Sequence, residues 1–568
     1  MRASHRSGAE RFAKRAGRLA ALSLLFLCTH LPGNAQIQDH ACRQLDGFAI
    51  APGDIGLPSG GALVTATKIV QNGAAGGSYC LVSGVIRPVD NTAPNIEFNV
   101  ALPRSWNAKA VMLGGGGFNG VIPDVSGTIL NALPSAKTPL ARGYAVFGSD
   151  SGHQSRAQVT TTDGVFLTNA EAYQNWLGDA LKKTRDVSVA IIRKSYGRNP
   201  ERSYFLGSSS GGREALVVAG RWPADWDGIV SQYPARDVSA NGIGLLASAQ
   251  ALAAPGAFMG PEKRAIAYDA ALEACDRLDG LSDGVISNVR GCNTRFDLAT
   301  ATLKGKPVRC PEGLDTGNSC LSDAQLGVFR RLQNPILVGY MLALGETGHP
   351  GFEVLTSDTG TGRGPEQAAK SVSALAFGLV PPASPVTTAN SYANQFSDPN
   401  YRFRIVADPD FNSLTFDIPS GGGFAEQIAR NSTSDHADAD LSAFAARGGK
   451  VLMMHGTSDL LISPRLSELW YSQTLARMGD DTVNGFVRYY QIPGFGHSVS
   501  TTFQAAWDQL TVLEDWVERK VDPLDNLVIT DLIGVPGRTR PMCRYPTFPK
   551  YRGEGDINVA SSFVCARG

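Results

Sequence analysis

Residues 203–212 have the sequence Ser203-Tyr204-Phe205-Leu206-Gly207-Ser208-Ser209-Ser210-Gly211-Gly212, in which an apolar run passes directly into small residues. The apolar run predicts a strand, and the segment beyond the glycines predicts a helix. Residues 207–211 match the pattern Gly-x-Ser-x-Gly, whose glycines leave room around a serine on a sharp strand-to-helix turn. The pattern therefore indicates that Ser209 is a nucleophile whose hydroxyl projects into a cleft.

On both sides of this segment, short apolar runs alternate with helical stretches, as in a mostly parallel α/β sheet. Strands are predicted at 111–113, 144–147, 450–454 and 487–492, and helices at 175–196, 464–478 and 502–519. Between residues 241 and 434 the alternation fades, and Gly, Pro, Ser and Asn become frequent. We therefore expect a core formed by residues 36–240 and 435–568, a lid domain inserted at 241–434, and an irregular C-terminal tail.

A serine hydroxyl is a weak nucleophile at neutral pH and needs an imidazole to accept its proton and a carboxylate to orient that imidazole. Proteins of the α/β-hydrolase fold supply these groups in the chain order Ser, Asp, His. Asp459 follows the predicted strand 450–454, and His497 follows the predicted strand 487–492. The order and the loop positions predict an α/β-hydrolase core in which Asp459 orients His497, the general base.

Other histidines have different expected places. His455 is an alternative base, but it follows a strand directly and stands four residues before Asp459, so we expect a buried, hydrogen-bonded side chain. His153 lies in an early loop and is a candidate for lining the site. We expect His349 and His436 at the surface.

Attack on an ester carbonyl produces an oxyanion, which preorganised backbone N–H groups must stabilise. In an α/β-hydrolase one donor follows the nucleophile, here Ser210, and another lies in an earlier glycine-rich loop. The run Gly114–Gly117 matches that loop. A phosphate-binding interpretation is disfavoured, because no Gly-Lys-Ser/Thr follows the glycines.

The first 35 residues have the features of an export signal, with basic residues, then an apolar run at 19–28, then small residues ending at Ala35. The run is about half of the ~20 residues that a membrane span needs. We expect cleavage after Ala35 and a secreted or periplasmic protein.

Of the nine cysteines, Cys28 lies in the signal, which leaves eight, and an even number in an exported chain indicates disulfides. Because loop closure favours near neighbours, we expect four local pairs. Zinc is disfavoured, since no Cys-x-x-Cys is present and no histidine lies beside these residues. The expected pairs are Cys42–Cys80, Cys275–Cys292, Cys310–Cys320 and Cys543–Cys565.

The overall charge is balanced, with 52 Lys and Arg against 52 Asp and Glu. A chain without a basic stripe lacks the surface that neutralises nucleic-acid phosphates. We therefore expect no nucleic-acid partner, no membrane partner after signal cleavage, and a monomer.

An acidic loop follows Cys275 and contains Asp276, Asp279 and Asp283 among glycines. Three carboxylates on one tight loop repel each other unless a cation neutralises them, and hard oxygen ligands suit Ca²⁺. The spacing is not that of an EF-hand, and the alternative is a solvated acidic turn. We expect a structural calcium ion.

Together these residues resemble the tannase and feruloyl esterase family of secreted serine esterases, over nearly the whole mature chain. The matching pieces are 204–214, the acidic loop, 448–450, Asp459, 493–497 and the tails 538–543 and 551–558, which are closest to the terephthalate half-ester branch. The resemblance implies Ser209, Asp459 and His497 as the triad and Gly117 with Ser210 as oxyanion donors. It also implies the backbone carbonyls of Leu281 and Val285 as further calcium ligands.

The sequence departs from the family next to the triad. Family members usually have a disulfide between cysteines directly before the nucleophile and directly after the histidine, where this chain has Ser208 and Ser498. We expect these serines to be neighbours, with Cα atoms within the ~4.4–6.8 Å of a disulfide.

The family's substrates are small esters of aromatic acids, of galloyl, hydroxycinnamoyl or terephthalate half-ester type, and the sequence does not choose among them. Two other functions are compatible with the same residues. One is a peptidase with the same triad, and the other is a silent, calcium-stabilised binding protein.

Overall fold

A ten-stranded mixed sheet crosses the computed structural model, which describes residues 35–36, 39–72, 77–155, 163–359, 372–524 and 527–568. Apart from Ala35, the predicted signal lies outside these residues. In chain order, the strands of the sheet are β1 (Ala49–Ile50), β2 (Ala62–Asn72), β3 (Gly77–Ile86), β4 (Ile96–Pro103), β5 (Lys109–Leu113), β6 (Ala145–Ser149), β7 (Arg202–Ser208), β8 (Gly228–Gln232), β9 (Lys450–Gly456) and β10 (Val487–Ile492).

The sheet has a parallel half and an antiparallel half. Its strand order is β10-β9-β8-β7-β5-β6-β4-β3-β2-β1, and the first six of these strands are parallel. From β6 to β1 every neighbouring pair is antiparallel. Ser209 directly follows β7, so the nucleophile candidate lies at the carboxyl edge of the parallel half.

Apolar side chains cover both faces of the parallel half because successive residues of a strand point to opposite sides. Phe205, Ile229 and Val451 belong to the buried layer on one face. Their chain neighbours Leu206 and Val230 belong to the layer on the other face. Strands buried on both faces have the continuous apolar runs seen in the sequence.

Helices lie around the sheet and in the inserted segment. They are α1 (Asp39–Arg43), α2 (Ala170–Gln174), α3 (Ala180–Tyr196), α4 (Ser210–Arg221), α5 (Val238–Ala253), α6 (Pro261–Cys275), α7 (Val289–Asn293), α8 (Asp323–Gln333), α9 (Val372–Phe377), α10 (Tyr392–Pro399), α11 (Ala425–Asp435), α12 (Ser442–Ala446), α13 (Pro464–Met478), α14 (Asp480–Phe486) and α15 (Gln509–Glu518). A π-helical turn at Asn175–Asp179 joins α2 to α3. Helix α4, which follows Ser209, packs against β7 and β8.

Most of the predicted elements are present, and 464–478 and 487–492 have the predicted bounds. The helix predicted at 502–519 is wrong at its start, since α15 begins at Gln509. The side chain of Asp508 accepts a hydrogen bond from Thr511 N at 3.1 Å and caps the helix there. Ala505–Ala506 instead forms a short strand paired with Val528–Asp531.

Residues 241–434 contribute, in their described part, no strand to the central sheet. They supply α6 to α11 and two short strand pairs, Thr302–Leu303 with Lys306–Pro307 and Ile336–Leu337 with Gly348–His349. Strands β8 and β9, which flank the segment in the chain, still pair directly, with Val230 opposite Leu452. The segment is therefore inserted in the chain between two strands that are adjacent in the sheet.

The tail is not irregular, contrary to the sequence prediction. Val528–Asp531 pairs with Thr539–Pro541, and Thr547–Tyr551 pairs with Phe563–Arg567. The carboxylate of Asp531 closes the first turn by accepting hydrogen bonds from Ile533 N at 3.0 Å and Gly534 N at 2.9 Å. Side-chain capping of this kind is hard to read from composition.

All four predicted disulfides are present, as Cys42–Cys80, Cys275–Cys292, Cys310–Cys320 and Cys543–Cys565. The last one joins Cys543, two residues after the strand Thr539–Pro541, to the final strand. Each bridge closes a loop of 38 residues or fewer, as loop-closure entropy favours.

Candidate active site

Ser209 occupies a strained turn between β7 and α4, with φ 62° and ψ −123°. Two glycines make this turn sterically accessible. A Cβ at Gly207 would lie 2.0 Å from the Gly211 carbonyl oxygen, and a Cβ at Gly211 would lie 2.6 Å from the Gly115 carbonyl oxygen. Because neither contact is tolerable, only glycine fits at either position, as the Gly-x-Ser-x-Gly pattern predicts.

The structure brings Ser209, His497 and Asp459 into one hydrogen-bonded line. His497 Nε2 lies 3.0 Å from Ser209 Oγ, and His497 Nδ1 lies 2.7 Å from Asp459 Oδ2. Asp459 is fully buried, His497 is 6% exposed, and Ser209 is half-buried. The three residues come from loops after β7, β9 and β10, which are all at the same edge of the sheet.

The carboxylate of Asp459 is held on both oxygens. Its Oδ1 accepts hydrogen bonds from Leu461 N and Ile462 N, each at 2.9 Å, and its Oδ2 faces His497. Burial opposes ionisation of Asp459, but His497, together with hydrogen bonds from His455 and His497, outweighs burial and holds the Asp459 pKa well below its usual range. Asp459 is therefore ionised at neutral pH and can orient the imidazole.

His455 is the buried, hydrogen-bonded histidine that the sequence predicts. Its Nδ1 lies 2.8 Å from Ser467 Oγ, and its Nε2 lies 3.0 Å from the carbonyl oxygen of Ile462. The same Nε2 lies 3.3 Å from Asp459 Oδ2, the oxygen that also faces His497, so His455 is a second neighbour of this carboxylate. His455 therefore contacts Asp459, whereas His497 contacts both Asp459 and Ser209.

The surface prediction for His349 is wrong, since this side chain is 1% exposed. It packs 4.6 Å from the ring of Phe352 and against Gly244 of α5, where a Cβ would lie 2.7 Å from the imidazole. His436 is half-buried beside Ser432 O. His153 is buried and stacks on Phe166 at 3.6 Å, outside the residues that line the cavities at Ser209.

The glycine-rich loop lies against the start of α4. Ser210 Oγ donates a hydrogen bond to the carbonyl oxygen of Gly117 at 2.6 Å, and Gly211 N donates to Gly115 O at 2.9 Å. Gly117 has φ 57°, the left-handed region that favours glycine. The two residues expected to stabilise an oxyanion are thus in contact with each other beside Ser209.

A cavity of about 550 Å³ opens at Ser209 and His497. Most of its wall is apolar, and the apolar lining residues are Leu113, Val121, Ile122, Pro123, Ile129, Leu130, Leu206, Leu375 and Leu461. A narrow recess of about 20 Å³ touches Gly117, Ser209, Ser210 and His497 from another side. The hydroxyl of Ser209 is therefore accessible to an ester carbonyl from an apolar cavity.

Ser208 and Ser498, which replace the family's cysteines, both line the larger cavity. Ser208 Oγ accepts a hydrogen bond from Gln232 Nε2 at 3.1 Å, and Ser498 has φ 59°. Their mutual distance stays a prediction.

The sequence prediction missed Tyr233. Its ring packs edge-to-face on the His497 imidazole, with centroids 4.8 Å apart, and its hydroxyl donates to Asn131 Oδ1 at 2.7 Å. The signal available in the sequence was its position, directly after the apolar run of β8, which neighbours β7. Tyr233 therefore packs against one side of the His497 imidazole.

The acidic loop has features that both favour and oppose a cation. Asp276 Oδ1 is buried with no hydrogen-bond partner in the described chain, and burial with the nearby Asp283 and Asp276 raises the pKa of Asp279 to about 7. Asp283, however, forms an ion pair with Arg540. No group of three or more His, Cys, Asp or Glu side chains among the described residues is arranged to hold a metal.

The sheet, the strained serine and the Ser209–His497–Asp459 line define an α/β-hydrolase. Within that class, residues 80–566 match the model of the family described as tannase and feruloyl esterase. The chain belongs to the tannase and feruloyl esterase family and is a carboxylic ester hydrolase.

Two relatives agree with this assignment, and a solved structure has the same fold. An uncharacterized esterase of Agrobacterium fabrum is 34% identical over 92% of this chain and 93% of its own. The mono(2-hydroxyethyl) terephthalate hydrolase of Piscinibacter sakaiensis is 29% identical over 88% of this chain and 87% of its own. The crystal structure of an esterase from Aspergillus oryzae superimposes with a TM-score of 0.71 and 21% identity, over 90% of this chain and 98% of its own.

Proposed function

We propose that the protein is a secreted serine esterase that hydrolyses esters of aromatic acids through an acyl-enzyme. The observation that carries the proposal is the line of hydrogen bonds from Ser209 Oγ through His497 to Asp459. It lies on the strained turn that exposes a nucleophilic serine at the edge of an α/β-hydrolase sheet.

In the acylation step, His497 Nε2 accepts the Ser209 proton while Ser209 Oγ attacks the ester carbonyl carbon. The carbonyl oxygen gains negative charge, which the N–H groups of Gly117 and Ser210 stabilise. The tetrahedral intermediate expels the alcohol, which takes the proton from His497. Ser209 is left esterified by the acid.

In the deacylation step, water replaces the alcohol. His497 accepts a proton from the water as its oxygen attacks the acyl carbon, and the same two N–H groups stabilise the second oxyanion. The bond between the acyl carbon and Ser209 Oγ then breaks, and Ser209 Oγ takes the proton back from His497. The products are a free acid and the original serine.

The apolar wall of the larger cavity supports an aromatic substrate, because a flat ring loses its hydration favourably in such a cleft. The name of the Piscinibacter relative, a hydrolase of a terephthalate ester, points the same way. Galloyl, hydroxycinnamoyl and terephthalate half-esters are the candidate substrates.

A panel of substrates tests the proposal. Purified enzyme is given p-nitrophenyl acetate, methyl ferulate, methyl gallate, hydroxyethyl terephthalate and a feruloyl amide. We expect turnover of at least one aromatic ester and far slower turnover of the amide. Faster cleavage of the amide than of its ester would favour the peptidase alternative, and no turnover of any ester would favour a silent binding protein.

The activity should depend on pH through a single acidic transition. A histidine base must be neutral to accept a proton, and histidines titrate near pH ~6 to 7. Asp459, whose pKa is held low, stays ionised throughout this range. We expect kcat/KM on a chromogenic ester to rise from pH 5 to 8 and then level off. A flat profile with chemistry rate-limiting would contradict a histidine base.

Secretion is supported by the export-signal pattern at residues 1–35 and by four disulfides, which form in oxidising compartments. No helix among the described residues is long and apolar enough to cross a membrane. We propose a periplasmic or extracellular monomer without a nucleic-acid or membrane partner.

We also propose that Ca²⁺ braces the acidic loop. The buried, unpartnered Asp276 Oδ1 supports this proposal, and the family resemblance implies Asp279 and the backbone carbonyls of Leu281 and Val285 as further oxygen ligands. Asp283 already forms an ion pair with Arg540, so as a calcium ligand its carboxylate would contact both the ion and Arg540. No catalytic step involves this ion.

Chelation should therefore lower thermal stability more than activity. We expect EDTA to reduce Tm, calcium to restore it, and the room-temperature rate to change little, since a ligand that binds only the folded state stabilises it. Asp276→Asn should remove the response to EDTA. An unchanged Tm after exhaustive dialysis against chelator would leave the loop as a solvated acidic turn.

A further inference from the structure

Helix α4 holds the glycine-rich loop at three points. We call residues 114–120 the oxyanion loop. Two of the points have been described, namely Ser210 Oγ on Gly117 O and Gly211 N on Gly115 O. The third is the carboxylate of Glu214, one helical turn further along.

Glu214 is 1% exposed and spans the base of the loop. Its Oε2 accepts a hydrogen bond from Gly115 N at 3.1 Å, and its Oε1 accepts one from Asn119 Nδ2 at 2.6 Å. Gly115 and Asn119 each stand two residues from Gly117, on opposite sides. One carboxylate therefore fixes both arms of the loop that presents the Gly117 N–H.

The fit between this carboxylate and the loop is close. A Cβ at Gly114 would lie 2.8 Å from Glu214 Oε2, and one at Gly115 would lie 2.7 Å from the side chain of Asn119. Asn119 itself has φ 62°, so it bends the chain in the left-handed region. These contacts leave the loop little freedom to shift.

Burying the Glu214 carboxylate lowers the stability of the fold, so its position needs another explanation. Burial raises its pKa, opposed by the nearby Arg213 charge and by the two hydrogen bonds. The Arg213 guanidinium, however, donates to the carbonyl oxygens of Trp176 and Leu177, both at 3.0 Å. Within the described chain no Lys or Arg forms an ion pair with Glu214, so the two loop donors are its hydrogen-bond partners. A buried carboxylate without an ion-pair partner lowers stability, so the presence of Glu214 here indicates that its role is to hold the loop in place.

We propose that Glu214 is a positioning residue that keeps the Gly117 N–H aligned with the Ser210 N–H, so that the oxyanion hole is formed before substrate arrives. This inference rests on the proposed esterase function and assigns no contact between Glu214 and substrate. A displacement of about 1 Å in such a donor costs roughly 10²-fold in rate.

The first test is Glu214→Ala. We expect kcat to fall by roughly 10²-fold with KM changed little, because the oxyanion exists only along the reaction path and not in bound substrate. Glu214→Gln should recover most of the rate. The carbonyl of the new glutamine can accept a hydrogen bond from Gly115 N. If the Asn119 side-chain amide rotates by 180°, the glutamine NH₂ can donate to Asn119 Oδ1, which has no hydrogen-bond partner in the described chain.

A thionoester provides the readout that a general structural defect would not move. Sulfur is a larger and weaker acceptor than oxygen, so a well-aligned pair of donors discriminates strongly against it. We expect the ratio of kcat for the oxygen ester to kcat for the thionoester to fall in Glu214→Ala and to return in Glu214→Gln. Glu201→Gln, at an exposed position, is the matched control and should leave the ratio unchanged.

If Glu214→Ala does not fold, Asn119→Ala decides the question, since it removes one of the two loop contacts. We expect a smaller fall in kcat with the same direction of change in the ratio. The proposal is overturned if a folded Glu214→Ala keeps the wild-type kcat, or if both esters slow by one factor in every variant. Wild-type enzyme that hydrolyses no ester would instead overturn the proposed function.

Discussion

Ser209→Ala is expected to reduce kcat for a chromogenic ester by on the order of 10⁶ while the fold stays intact, because it removes the atom that forms the acyl-enzyme. The strained backbone at this position is tolerated in the native chain with a side chain no smaller than alanine, so the variant should fold. Stopped-flow or long-incubation assays, with circular dichroism on the same sample, measure both parts.

A matched control is Ser195→Ala. The Ser195 hydroxyl donates a hydrogen bond to Ile191 O within α3, and Ser195 is not among the residues that line the cavities at Ser209, so its removal should leave kcat within experimental error. Retention of a tenth of wild-type activity by Ser209→Ala would show that another residue is the nucleophile.

Asp459→Asn is expected to lower kcat by roughly 10⁴ with little change in KM or in shape. The asparagine carbonyl can keep the hydrogen bonds from Leu461 N and Ile462 N, which places its NH₂ group against His497. His497 must then accept at Nδ1 and carry its proton on Nε2, so it cannot accept the Ser209 proton. The imidazole is held in the wrong tautomer for catalysis.

The same substitution at Asp440, which is exposed and hydrogen bonds to Ser442, serves as the control and should be silent. An Asp459→Asn enzyme within tenfold of wild type would mean that His455 or another group orients the base. A steady-state assay at the pH optimum separates these outcomes.

The convergence of Ser209, Asp459 and His497 was predictable because each follows an apolar run that must be a buried strand, and parallel strands end at one edge. Asp459 lies 250 residues after Ser209 in the chain, and His497 lies 288 residues after it. The order of the strands in the sheet nevertheless brings the three residues together. The disulfides were predictable because loop-closure entropy favours pairs of cysteines that are close in the chain.

The positioning residues could not be predicted in the same way. Glu214 sits in a helix, where a glutamate normally faces water, and only the packed structure shows that α4 is buried on every side and that Glu214 faces Gly115. Tyr233 resembles any aromatic residue after a strand. His349 was misplaced because Gly244, over a hundred residues away, provides the space for it. Such contacts depend on tertiary packing, which leaves no periodic trace in the sequence.

The insertion of residues 241–434 between β8 and β9 has a consequence for synthesis of the protein. Val230 and Leu452 are paired across that segment, so closing the sheet at this point is a contact of very high sequence separation, which slows folding. A ribosome adding roughly 5 to 20 residues per second needs on the order of ten seconds or more to pass from β8 to β9. During that interval β9 and β10 are absent and one edge of β8 is unpaired. The hydrogen bond between Ser209 and His497 therefore cannot form, and this strand edge stays unpaired, until the last two strands of the sheet have been made.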